Sequence, residues 1–215
     1  MKLSYAAAHD SFISIKKNKL FYLKKNILKY TKKYKLKKME AMNNVNLKKV
    51  MEFGEQIKAD SSKAKKTQVI EGDWLFQEGG PQFQGNITFE GGQTVFKVDN
   101  PAFMGGGGNL PGPMHFCFFG LASCYTGTFA TMATMLGITL KKLSVRVEAD
   151  LNFSKVFGMG DFPIMEEVRI ILQVVSDDSE AKIKEAEMLA LERCPVIFTL
   201  RNPIKLTATT EILKS

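Results

Sequence analysis

Apolar and polar residues alternate along this chain with two different periods, and the change of period marks its elements. Between residues 40 and 59, Leu47, Val50, Phe53 or Gly54, and Ile57 fall three or four apart, which predicts a helix with one apolar stripe. A polar link, Asp60-Ser-Ser-Lys-Ala-Lys-Lys66, follows it. From Thr67 the period is two: residues 67–76, 82–89 and 94–98 alternate, punctuated by Gly79-Gly80-Pro81 and Gly91-Gly92, which predicts three consecutive antiparallel strands. Alternation then stops. No residue from Asn100 to Leu140 carries a formal charge, and residues 113–136 hold no internal helix breaker, so a buried central helix is expected there.

Beyond that helix, residues 143–153 and 165–175 read as two more strands around a turn at Gly158-Met-Gly-Asp-Phe-Pro163. Ser179 to Arg193 reads as a helix with Ile183, Ala186 or Glu187, Ala190 and Leu191 on one face and Asp177 or Asp178 as its cap. A short helix from Cys194 to Leu200 and a last strand from Lys205 to Leu213 close the chain. The organisation predicted is a basic extension over 1–38, a helix and linker over 39–66, and one domain over 67–215, with no repeat and no second domain.

The formal net charge of +8 on 215 residues is unevenly placed. Residues 1–38 hold twelve of the thirty Lys and Arg but one of the twenty-two Asp and Glu, a charge of +11 that leaves −3 for the remainder. The remainder is mildly acidic, which argues against nucleic acid as its partner. The extension is low in complexity and has no Arg and no long apolar run, unlike a transit or secretory peptide. Leu20, Leu23, Ile27, Tyr30 and Tyr34 do keep a helical spacing. It reads as a disordered extension or as sequence translated ahead of Met39 or Met42, with a targeting or membrane-surface helix as the alternative.

Three cysteines do not make a disulfide scaffold and suggest thiols kept reduced in a cytoplasmic setting. Cys124 is the reactive side chain at the middle of the central helix, and Ala122, Ser123 and Gly127 beside it are too small to wall off its sulfur. Cys194, in Arg-Cys-Pro-Val, stands at a helix entry, because Pro195 suits a first helical turn and the free amides there favour an anion. A cysteine on an apolar helix is commonly plain packing. Two such positions, however, are what a two-thiol redox catalyst requires. Cys117, about 10 Å along the same helix face, is too distant from Cys124 for a disulfide and reads as structural.

Other chemistries are less well served. No Cys-x-x-Cys or His-x-x-x-His pair supports a metal site with His115, and no cofactor is implied. Gly105 to Gly108 lacks the Lys-Ser/Thr of a phosphate loop and reads as a flexible lead-in or lid. The central segment is long enough to span a bilayer, but Ser123 and Thr126, Thr128, Thr131 and Thr134 make it a poor span, so no transmembrane segment is expected.

The proline-led apolar helix with Gly120-Leu-Ala-Ser-Cys124, the strands before it and Cys194-Pro-Val196 after a later helix resemble the osmotically inducible and organic-hydroperoxide-resistance proteins, the OsmC/Ohr family. The resemblance runs from about Thr67 to Ser215. It implies an α+β fold with a strongly bent antiparallel sheet around two central helices, in an intertwined homodimer with active sites at the interface. It also implies that Cys124 attacks an organic hydroperoxide and Cys194 resolves the product as a disulfide, which an external thiol reduces. Phe116, Phe118, Phe119 and Phe129 would be pocket or core residues. Family hydroperoxidases pair an early-strand Arg with a Glu after the helix-leading proline. Here Pro113 matches, Met114 stands at the Glu position, and no Arg precedes Arg146. These departures give the alternative reading, the same dimer as a binder of a small apolar ligand.

Overall fold

A computed structural model describes residues 41–213; the basic extension lies outside the described residues. Helix α1 (Leu47–Ala59) is followed by β1 (Glu71–Trp74), β2 (Phe83–Phe89) and β3 (Gly92–Val98). The central helix α2 (Pro113–Met135) leads to β4 (Leu140–Leu151) and β5 (Met165–Ser176), and α3 (Glu180–Arg193) and α4 (Pro195–Arg201) complete the order. The architecture is α+β, as expected. Its antiparallel strands form two separate sheets, β1-β2-β3 and β4-β5.

The core lies between the helices and the β4-β5 ribbon. On α2, Leu121, Tyr125, Phe129, Met132 and Ala133 repeat every three or four residues and are buried. They meet Ala186, Leu189 and Ala190 of α3, Ile197 of α4, and Ile138. Ala133, Ala186 and Ala190, all fully buried, let the two helices approach closely. Burying Phe129, which is 1% exposed, stabilises the fold by about 2–3 kcal/mol. The ribbon covers another side of this cluster with Leu143, Val147, Val168, Ile170, Leu172 and Val174. Threonines are tolerated on so apolar a helix because their hydroxyls bond back to its carbonyls: Thr128 to Cys124 at 2.8 Å, Thr131 to Gly127 at 2.9 Å and Thr134 to Ala130 at 2.8 Å.

Four expectations are corrected. Helix α1 starts at Leu47, not near residue 40, because Asn43 and Asn44 adopt left-handed conformations (φ 55° and 59°) and Asn46 caps the helix through Lys49 N–H. The Asn43 amide donates to Thr134 Oγ1 (3.0 Å) and Ile138 O (2.8 Å), and its oxygen accepts from Leu140 N–H (2.8 Å). This hook ties residues 42–45 to the exit of α2.

The glycine run is not a loose lead-in. The Asp99 carboxylate, 2% exposed, accepts from the Gly107 and Asn109 amides at 3.0 and 3.1 Å, and the loop folds around it. A Cβ at Gly106 would overlap the Asn100 carbonyl. Neither Asp177 nor Asp178 caps α3; Ser179 holds that position, and Asp178 accepts instead from Thr139 N–H and Lys182. Finally, Lys205 to Leu213 forms no strand. It is exposed throughout, because no segment among the described residues pairs with its backbone.

Candidate active site

Cys124 lies midway along α2, half-buried beside Ala122, Ser123 and Gly127. Cys194 is placed by the proline after it. A residue before proline is pushed out of helical geometry, and Cys194 is extended (φ −69°, ψ 119°) between α3 and α4. It still belongs to both helices: its N–H bonds Ala190 O at 2.9 Å and its carbonyl accepts from Phe198 N–H at 2.9 Å. Its side chain therefore has a fixed root, and it is completely buried.

The two sulfurs, seventy residues apart in sequence, stand 3.5 Å from each other, with the Cys194 thiol donating to Cys124 Sγ. A disulfide has a sulfur separation of about 2.05 Å, so roughly 1.5 Å of side-chain rotation would close the bond. Burial pushes the Cys124 thiol above its ordinary value. The Val196 backbone amide at the start of α4 opposes this, while a negative charge on Cys194 would raise the value further. The helix-entry amide expected to serve Cys194 thus faces the other sulfur.

Among the described residues no cation contributes at this thiol. Arg169 is engaged by Glu148, Asp150 and Glu167 on the ribbon, Arg146 by Glu148, and the Arg193 guanidinium faces Met132 Sδ at 3.7 Å. His115 accepts from Gly112 N–H at the head of α2, nine residues from Cys124. Tyr125, which the sequence reading did not single out, is buried among these groups. Its phenol is pushed up to about 12, first by burial and then by Glu187 and Cys194, so it stays protonated at neutral pH.

A cavity of about 550 Å³ opens one helical turn from Cys124, lined by Leu121, Val168, Ile170, Leu191 and Ile197 with exposed Glu166 and Arg201. Of the four phenylalanines singled out, Phe129 is core, Phe119 is 69% exposed, and Phe116 meets Phe96 of β3 edge-on at 5.6 Å. Cys117 is exposed, so the structural role expected for it is not a packing role. Among the described residues no three His, Cys, Asp or Glu side chains are grouped to hold a metal ion.

Residues 106–209 match the family model of OsmC-like protein. They form an OsmC-like domain. One solved structure shares the fold: an OsmC-like protein from Mycoplasma pneumoniae is 23% identical, with 65% of this chain and 90% of that one covered and a TM-score of 0.50. An organic hydroperoxide resistance protein OsmC from Legionella pneumophila is similar at 18% identity, 63% and 90% coverage and a TM-score of 0.45. The organic hydroperoxide resistance protein OhrB of Bacillus subtilis is similar at 21%, 64% and 93%, and 0.41. No curated protein matches the sequence. The OsmC-like domain contains both cysteines of the pair, and its central helix, though long and apolar enough by composition to cross a membrane, packs here against α3, α4 and β4.

Proposed function

We propose that this OsmC-like protein is a thiol-dependent peroxidase that reduces organic hydroperoxides through Cys124 and Cys194, working from residues 67–215. The observation that carries the reading is the 3.5 Å approach of a half-exposed sulfur to a buried one. The Cys124 thiolate attacks the outer peroxide oxygen, the O–O bond breaks, and protonation of the departing alkoxide gives an alcohol and Cys124 sulfenic acid. The Cys194 sulfur then displaces the hydroxyl as water, its own proton leaving with it, and a disulfide forms. Two equivalents of an external thiol, plentiful in a reducing cytoplasm, restore both thiols and leave as their own disulfide. The cavity beside Leu121 and Ile197 suits an apolar substituent on the peroxide.

Homodimerisation belongs to this reading. The β1-β2-β3 sheet is exposed along nearly all of β1 and β3, and the residues after Arg201 leave Ile204, Leu206, Ile212 and Leu213 largely exposed. Exposed apolar area on that scale is characteristic of chains that associate. An intertwined second copy would cover it and complete the sites at the interface.

The test is consumption of cumene hydroperoxide by the reduced protein. Cys124→Ser should abolish it, and equal turnover by that variant and the parent would reject the proposal. A second reading, a ligand-binding dimer without efficient turnover, is favoured by the raised Cys124 thiol and by the absence, among the described residues, of a cation acting on it. One equivalent of hydroperoxide separates the two: loss of two thiols per chain supports the peroxidase, and no loss supports the binder.

A further inference from the structure

Charge and exposed apolar surface coincide in one segment outside the thiol site. In residues 39–66 there are six lysines and four acidic residues, directly after an extension carrying +11, whereas residues 67–215 carry −5. Lys48, Lys49, Lys58, Lys63, Lys65 and Lys66 are all exposed, and the acidic partner recorded for this set is Glu55, which pairs with Lys58. Along the stripe of α1 Leu47 is buried, but Val50 and Phe53 are 38% and 40% exposed. Lys66 lies over the Phe53 ring at 5.7 Å, which puts this lysine on the apolar side of the helix. Val69 and Ile70, each 62% exposed, follow Lys66 in the chain.

We infer that α1 and residues 61–70 form a docking surface for an anionic phospholipid bilayer. Lysines near such a surface are attracted by its negative potential, and Val50, Phe53, Val69 and Ile70 supply the apolar face that enters the headgroup boundary. A nucleic acid would satisfy the lysines but leave those four side chains in water, so the bilayer is the better fit. The acidic remainder of the chain would be repelled from the same membrane, which orients α1 toward it. The inference is independent of the thiol chemistry.

The experiment is co-sedimentation of the full chain with vesicles of phosphatidylcholine alone or mixed with phosphatidylserine, at low and high salt. Binding is expected to require phosphatidylserine and to weaken with salt. Changing Lys48, Lys49, Lys63, Lys65 and Lys66 together to Glu should lower the partition by about 3,000-fold or more, since each of the five lysines contributes about fivefold. Val50→Ser with Phe53→Ser should also lower it, while leaving retention on a DNA duplex unchanged. Circular dichroism and dimer mass confirm that each variant is folded. Parental partition by either folded variant, equal binding to phosphatidylcholine alone, or tighter binding to the duplex than to the vesicles overturns the assignment.

Discussion

Replacing Cys117 by Ser leaves Cys124 as the accessible thiol of the pair and makes its ionisation measurable by alkylation. Burial raises this thiol above a cysteine's usual value near 9.0, and the Val196 amide only partly compensates. At neutral pH the thiolate is then the minor form, because burial disfavours the charged sulfur. The sign follows directly: a raised pKa means that raising pH creates the reactive form. The rate of reaction with iodoacetamide at Cys124, read by peptide mass spectrometry, should climb about tenfold per pH unit from 6 to 8, roughly 100-fold in all. Hydroperoxide consumption should follow the same slope. A rate that levels off below pH 7.5 would refute the reasoning, since it would require a positive charge held against the sulfur in the assembled protein.

Cys194→Ser should leave Cys124 as a sulfenic acid after one equivalent of hydroperoxide, trapped as a dimedone adduct, whereas the parent forms an intramolecular disulfide and traps little. Asn43→Ala removes three hydrogen bonds and puts alanine in a left-handed conformation. A loss of roughly 3 to 4 kcal/mol in urea unfolding with an unchanged m-value is expected, and a loss below about 1 kcal/mol would mean that the hook is not docked. A chain beginning at Met39 should fold and give the same dimer mass as the full chain, and aggregation of the shorter chain would overturn that expectation.

The central helix was legible because forty-one uncharged residues with no late proline have few other uses, and the first three strands because their alternation is broken by glycine pairs. The meeting of Cys124 and Cys194 was legible only as a condition. Sequence places one sulfur on a helix and the other before a proline, but the packing of Ala186 and Ala190 against α2 sets the distance between them. The hook was hidden because Asn43 owes its role to Thr134, Ile138 and Leu140, all some ninety residues away. Four glycines suggest looseness until Asp99, whose carboxylate organises them, is known to point inward. The final segment has the alternation of a strand, yet a strand is a relation between two segments, and the described chain offers this one no partner.

The unequal access of the two sulfurs would give the proposed redox cycle a direction. Whatever arrives from solvent, oxidant or reductant, meets Cys124, because Cys194 presents no surface at all. In the proposed cycle a reducing thiol would therefore form its mixed disulfide with Cys124 and expel Cys194 inward, never the reverse. The inner sulfur would be shielded from overoxidation by the same wall that keeps reductants from it, and the outer one alone would carry the chemical risk of each turnover.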